Sequence, residues 1–236
     1  SHWSSLIALC FAVLPNLILN WLLINNSFKC SSSSFMLFNI IPVLLWITAS
    51  EVPPTFEAIE GISNKAASIY EMPKPTIAVL PGAAAGAGMS IALACDIRIA
   101  SDNAFLVPAF GGIGLSGDYG GSWSLGKLVG PSKAKDIYFS NRRISAKEAL
   151  DEGIVNYVVT EKELHEFSLK KASEIAYFSP TALQYMKENH NRATSASFKE
   201  SLMMEADRMI RCFQTGDHKN AAKAFVEKKK PVFTGK

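Results

Sequence analysis

The chain has 236 residues, enough for one domain of ordinary size or one with an appendage. Hydrophobic residues make up 48% and charged residues 19%, and a net charge of only +3 excludes the strongly basic balance of a nucleic-acid binder. The four cysteines, Cys10, Cys30, Cys95 and Cys212, form no C-x-x-C pair and have no histidine cluster beside them; they read as reduced thiols rather than a disulfide framework or a zinc site.

Charge divides the chain sharply. Residues 1–50 hold one charged side chain, Lys29, apart from His2; the other 23 basic and all 21 acidic residues lie in 51–236. Residues 3–24 and 34–49 carry no charge, and the first stretch reaches the roughly 20 residues a bilayer span needs. Pro15 and Pro42 interrupt the two stretches, while Trp3, Trp21 and Trp46 suit membrane interfaces. No basic segment precedes the first stretch and no small-residue cleavage site follows it, which argues against a signal peptide. Three readings of this head stand: a membrane anchor or hairpin, a buried part of the fold, or a segment foreign to the domain.

Beyond the head the elements follow in order. Phe56, Ile59, Ile62, Ala66, Ile69 and Tyr70 recur at helical spacing, and Pro73 and Pro75 end that helix. Ile77–Leu80 is a short apolar run before Pro81-Gly82, as expected of a strand covered on both faces. A glycine-rich loop and a helix through Ile91–Ala94 come next, then strands at Ile97–Ala100 and Phe105–Val107. Ser145 to Glu148 and Thr160 to Glu163 have the form of capping boxes. Gly153 is a helix stop, Ile154–Val159 a strand, and Ser179-Pro180 the cap and first residue of a further helix. Strands come first and helices dominate the last third, so the chain is α/β with a helical end.

The loop "PGAAAGAGMSIALACD" (81–96) is the most informative stretch. It lacks the GK[ST] of a Walker loop, the third glycine of G-x-G-x-x-G, and the last glycine of G-x-S-x-G. A tight strand-to-helix turn would account for its small residues. So would a site where bare N–H groups at a helix start receive an oxygen that becomes negative during reaction, such as the enolate formed beside a thioester carbonyl.

With "PKPTIAVLPGAAAGAGMSIALACDIRIASDNAFL" and "GIGLSGDYGGSWSLGKLVGPSKAKDIYFSNRRISAKEALDEGIVNYVV", the chain resembles the crotonase superfamily, the enoyl-CoA hydratase/isomerase family, from about residue 55 through the tail "AFVEKKKPVFTG". The resemblance implies a ββα spiral core (51–175), a C-terminal helical and trimerisation segment (176–236), trimers or dimers of trimers, and coenzyme A thioesters as substrates. It implies no metal and no cofactor beyond the coenzyme A of the substrate. One oxyanion donor maps onto the Ala87 N–H, flanked by Gly86 and Gly88. The other belongs to an upstream A-G-x-D motif, and none occurs in residues 1–60.

The two glutamates of family hydratases map onto Ser90 and Ala109, neither of which can serve as a carboxylate acid or base. A subset that includes phenylacetate-pathway isomerases keeps a carboxylate at the position of Asp118. One base that takes a proton from one carbon and returns it to another is enough for double-bond migration. The resemblance therefore favours an enoyl-CoA isomerase with Asp118 as acid/base. A hydratase (a lyase) of unusual mechanism and an impaired acyl-CoA-binding protein are the alternatives. By turn chemistry alone, Gly117-Asp118 before Tyr119-Gly120-Gly121 is also simply a good turn. Ser90, Ala109, Phe110, Gly120, Gly121 and Trp123 are candidates to contact substrate, and Phe225 and Lys228 match positions that close over the adenine end of coenzyme A. A serine hydrolase built on Ser90 would need a base, yet His165, His190 and His218 lie in the helical last third with no motif around them. Fatty-acid and aromatic-acid metabolism both remain open, as do mitochondrial, peroxisomal, cytoplasmic and membrane-associated locations.

Overall fold

The computed structural model describes residues 8–11 and 56–236. A four-stranded parallel sheet, a three-stranded mixed sheet and the helices connecting their strands form a first unit, residues 8–11, 56–70 and 76–168. The strands are β1 (Ala8–Phe11), β2 (Thr76–Leu80), β3 (Ala83–Ala85), β4 (Ile97–Ser101), β5 (Phe105–Val107), β6 (Ile144–Ser145) and β7 (Tyr157–Val159). The helices are α1 (Phe56–Tyr70), α2 (Ala87–Ala94), α3 (Gly121–Val129), α4 (Pro131–Ser140), α5 (Ala146–Asp151) and the start of α6 (Glu161–Ala176).

The chain winds as a spiral. β2 lies in a four-stranded sheet of order β1-β2-β4-β7, in which every neighbouring pair is parallel. After the Pro81-Gly82 turn, β3 joins a second sheet of order β3-β5-β6, and α2 returns the chain to the first sheet at β4. β4 then feeds β5 in the second sheet, so one β–β–α turn is followed by another. All five residues of β2 are buried, as its unbroken apolar run requires of a strand flanked by β1 and β4. Asp96 fixes the start of β2, accepting from Thr76 N at 2.7 Å and Thr76 Oγ1 at 2.9 Å. The core gathers Ile69, Leu80, Met89, Leu106, Leu125 and Ile137 with many alanines.

The architecture is the α/β ββα spiral with a helical C-terminal part that the sequence resemblance implied. Several local expectations differ. The strand expected over 154–159 begins only at Tyr157, because the N–H groups of Ile154 and Val155 both turn back to Ala149 O, at 2.7 and 3.0 Å. Neither expected capping box closes on both sides. Ser145 Oγ accepts from Glu148 N at 3.2 Å, but the Glu148 carboxylate is taken by Arg142. At the other, Glu163 accepts from Thr160 N and Oγ1 without the return bond to the Thr160 side chain. A complete box forms at Ser197 and Glu200 instead. β3 had read as loop, since three alanines and a glycine carry no strand signal by themselves.

A second unit comprises residues 71–75 and 169–236, with α7 (Pro180–Ala193), α8 (Phe198–Gln214), α9 (Gly216–Val226) and an irregular C-terminal segment. Ser179 precedes α7 but does not cap it with its side chain; its hydroxyl donates to Asp217 Oδ2 at 2.8 Å. Arg208 of α8 holds Glu188 of α7 through Nε and Nη2, at 3.0 and 2.8 Å. Among the described residues no helix is long and apolar enough to cross a membrane. Apart from β1, the segments behind the three readings of the head lie outside the described residues.

Candidate active site

The site is built where β3 becomes α2. Gly86 N donates to Val107 O at 3.0 Å, carrying the β3–β5 ladder one residue further. Gly86 then turns at φ +53°, ψ −122°, a conformation that only glycine adopts without penalty. Helix α2 starts at once and no side chain caps it. Its first-turn N–H groups, beginning with that of Ala87, therefore have no partner within the helix, and the helix dipole stands behind them. Ala87 itself is buried, and a side chain at Gly88 would meet nothing within 4 Å.

Asp118 lies on the loop before α3. Its backbone carbonyl accepts from Gly121 N at 3.1 Å, which shapes the turn, while its carboxylate Oδ1 is buried without a hydrogen-bond partner. Burial pushes this carboxyl up to about 6. Phe110 joins the loop to the helix start. Its ring lies 3.8 Å from where a Cβ on Gly86 would stand, and its opposite edge 3.8–4.0 Å from the corresponding point on Gly117. Ala109 (φ 62°) and Tyr119 (φ 51°) flank Phe110 and Asp118 in the left-handed region, which costs an L-residue roughly 1–2 kcal/mol. Such strain persists only where surrounding packing imposes it, and it concentrates at functional sites.

Ser90 is wholly buried, one turn into α2. Its backbone N–H and its hydroxyl both donate to Gly86 O, at 3.1 and 3.3 Å. The Tyr138 hydroxyl of α4 lies beside that of Ser90 over Gly121; its phenol is shifted up, first by burial and further by the Asp118 charge, with Ser90 opposing. Burial and Asp118 likewise push Tyr119 up to about 12. Gly121 sits against Ser90 and Tyr138 so closely that a methyl group there would overlap the Ser90 hydroxyl.

The structure thus brings Gly86, Ala87, Ser90, Phe110, Asp118 and Gly121 to one place. Tyr138 joins them there, a residue that sequence reasoning missed because its spacing marks only a helix face. Gly120 and Trp123 instead line a neighbouring cavity of about 270 Å³ with Ala66, Ala67, Tyr70, Ala94, Tyr119 and Ser124. There the Trp123 ring, 46% exposed, meets Tyr70 edge-on at 5.5 Å. Phe225 and Lys228 belong to the second unit. Phe225 is 84% exposed, and Lys228 has a left-handed backbone at φ 53°. Among the described residues no group of three or more His, Cys, Asp or Glu side chains could hold a metal ion.

The family described as Enoyl-CoA hydratase/isomerase matches residues 55–236. The chain is 40% identical over 157 residues to the short-chain-enoyl-CoA hydratase of Clostridium acetobutylicum, covering 66% of this chain and 60% of that protein. It is 32% identical over 168 residues to the 1,2-epoxyphenylacetyl-CoA isomerase of Escherichia coli, covering 71% of this chain and 64% of that protein. The fold matches a crystal structure of an enoyl-CoA hydratase from Polaromonas sp. JS666 with a TM-score of 0.75 and 34% identity, over 86% of this chain and 79% of that one. The chain spans less than two thirds of the length of these two curated relatives. The match across the spiral, the glycine-started helix and the C-terminal helices places this chain in the enoyl-CoA hydratase/isomerase family of the crotonase superfamily.

Proposed function

We propose that the protein isomerises enoyl-CoA thioesters, with the Ala87 N–H holding the thioester oxygen and Asp118 moving the proton. The observation that carries this reading is the Asp118 carboxyl: it has a buried, unpartnered oxygen, its pKa is raised to about 6, and its loop is joined through Phe110 to the open start of α2. A carboxylate of that pKa is largely ionised at neutral pH, yet its conjugate acid remains strong enough to return a proton. On a 3-enoyl thioester it removes a proton from C2. The electron pair spreads into a dienolate whose oxygen the Ala87 amide stabilises. The same carboxylic acid then protonates C4, leaving the 2-enoyl thioester and the carboxylate restored. Water addition by two carboxylates is disfavoured, since Ser90 donates to Gly86 O and Ala109 has no ionisable group.

Incubation with 3-enoyl-CoA and 2-enoyl-CoA in deuterated water tests this. Interconversion of the two with deuterium entering C2 and C4 supports isomerisation. Formation of 3-hydroxyacyl-CoA at a rate indifferent to Asp118→Asn overturns it. A second reading, acyl-CoA binding without turnover, is favoured by one observation: residues 1–60 contain no A-G-x-D sequence to supply a second amide. Binding of an enoyl-CoA with neither product formed would select that reading.

The trimer belongs to the same proposal. Phe198, Met203, Met209 and Ile210 of α8 and Phe225 of α9 are all exposed in the single chain, and a second copy would cover such side chains. Light scattering on the purified protein checks it: a monomer at micromolar concentration removes the assembly.

A further inference from the structure

Gly121 is the first residue of α3, and its backbone lies outside the left-handed region. Glycine is among the poorest helix formers, so conformation does not call for it here. Close approach does. Gly121 is buried, and a Cβ built on it would stand 2.2 Å from Ser90 Oγ, 2.5 Å from Tyr138 Oη and 3.0 Å from Ser90 Cβ. Rotating the Ser90 hydroxyl away would clear only the first of these. That hydroxyl is wholly buried and donates to Gly86 O at 3.3 Å. The start of α3 therefore rests directly on α2, where any side chain would hold the two apart.

Each of the two segments that meet here is tied to one half of the proposed site. On the α2 side, the Ser90 N–H donates to Gly86 O at 3.1 Å, and the Gly86 carbonyl shares a planar peptide with the Ala87 N–H. On the α3 side, the Gly121 N–H donates to Asp118 O at 3.1 Å, closing the turn that carries the carboxyl. Ser90 thus moves with the amide and Gly121 with the acid. At the other end of the turn the packing is looser. The nearest ring atoms of Tyr138 and Phe110 stand 3.5 and 3.8 Å from where a Cβ on Gly117 would be.

We propose that Gly121 is a positioning residue: its contact with Ser90 sets the separation between the Ala87 amide and the Asp118 carboxyl. This rests on the reading of those two groups as oxyanion donor and base. An ordinary C···O contact is roughly 3.3 Å, so a methyl on Gly121 must displace the turn or α2 by about 1 Å. A misplacement of that size costs roughly 100-fold in rate.

The test measures isomerisation of 3-hexenoyl-CoA by the full chain, Asp118→Asn, Gly121→Ala, the double variant Ser90→Ala/Tyr138→Phe, and the triple variant that adds Gly121→Ala to it. Circular dichroism and thermal melts check that each is folded. Gly121→Ala should lower kcat by roughly 100-fold and change KM little. The acid limb of its kcat/KM profile should move below about 6, because a displaced turn admits water to the buried Asp118 oxygen. The double variant lacks both oxygens that the methyl would strike. In that background Gly121→Ala should cost only a small fraction of the same factor, a non-additivity expected of groups in contact.

A folded Gly121→Ala with kcat near that of the full chain overturns the proposal. So does an undiminished loss in the double-variant background, since glycine would then serve something other than this approach. A loss of turnover with the acid limb still near 6 marks packing alone and overturns it too. A rise in KM at unchanged kcat would make Gly121 a substrate contact instead. If Gly121→Ala does not fold, the triple variant decides. Turnover close to that of its double-variant parent supports the spacing role, and much slower turnover or loss of the fold overturns it. If Asp118→Asn turns over as fast as the full chain, the isomerase reading itself fails. If Asp118→Asn is slow while Gly121→Ala is fast, only the role of Gly121 does.

Discussion

The two units of the chain are built on opposite plans. In the spiral unit most buried residues are apolar and many are alanine, from Ala66 and Ile69 to Leu164, with Arg98 the buried charged side chain among the described residues. In the C-terminal unit the residues withdrawn from solvent are polar, namely Ser179, Lys187 and Asp217, while large apolar side chains such as Phe198, Met203, Phe225 and Val226 face outward. The spiral is held by burial of apolar surface within the chain. In the helical unit the buried Asp217 carboxylate gathers hydrogen bonds from Ser179, Thr234 and Gly235. The residues of the proposed site, from Gly86 to Gly121, all belong to the first of these units.

Four experiments probe that contrast, from the largest effect to the smallest. Asp118→Asn keeps the shape of the site but removes its base, so isomerase turnover should fall by roughly 100- to 10,000-fold. In the wild type, turnover should decline as pH drops through about 6, where the Asp118 carboxylate takes up a proton. A profile flat from pH 5 to 8 would remove Asp118 from the chemistry.

Arg98→Met addresses the spiral's buried cation. The guanidinium, 4% exposed, donates to Ile154 O and Cys95 O at 2.6 Å each and to Ala92 O at 3.5 Å. It thereby caps the C-terminal end of the helix whose other end carries the Ala87 amide. Burial pulls its pKa below the ordinary value, against the opposing influence of Cys95 and Asp96. Stranding those carbonyls should cost about 3 kcal/mol, seen as a lower midpoint in urea. A loss below ~1 kcal/mol would mean that apolar packing alone secures α2.

Asp217→Ala is the matching experiment on the helical unit. This carboxylate, 1% exposed, accepts from Ser179 Oγ, from Thr234 N and Oγ1, and from Gly235 N. It pins the last residues of the chain against the starts of α7 and α9. Its loss should cost about 2 kcal/mol and loosen the terminal segment, so that trypsin cuts faster after the exposed Lys228 and Lys229. Burial raises the Asp217 pKa, but these hydrogen bonds outweigh it and hold the carboxyl below its ordinary value. Its contribution is therefore complete above the unfolded value near 4 and disappears as pH falls through the lower folded value. Protection of the tail that persists in Asp217→Ala would show that apolar contacts hold it after all.

The smallest effect carries the opposite sign. Asp118 is raised in the folded state, so its ionisation opposes folding as pH rises from about 4 through about 6. Asp118→Asn should therefore melt higher than the wild type at pH 7.5, by about 1 kcal/mol, even while activity is lost. A lower melting temperature would mean that the carboxylate has a structural partner.

Much of the site was legible in residue types. The run from Pro81 to Asp96 announces a helix start stripped of side chains, and Asp118 stands among glycines where a turn must form. Tyr138 was not legible, because Ser90 is 48 residues away and the two side chains meet only over Gly121 of α3. The role of Asp217 was hidden for the same reason: its partners Ser179, Thr234 and Gly235 come from two other segments. Ser145 and Thr160 had the right residues for capping boxes, yet Arg142 took the Glu148 carboxylate that one of them needed.

By itself the sequence determined what depends on neighbours along the chain: the buried run of β2, the glycine that turns the backbone into α2, and the proline that opens α7. These follow from local sterics and periodicity, which no distant residue need supply. Only the tertiary structure decided which groups share a space. It set Phe110 between Gly86 and Gly117, left one Asp118 oxygen without a donor, and brought a tyrosine beside a serine over a glycine. The physical reason is that desolvation and hydrogen-bond partnership are properties of an enclosed volume, and the walls of that volume come from segments far apart in the chain.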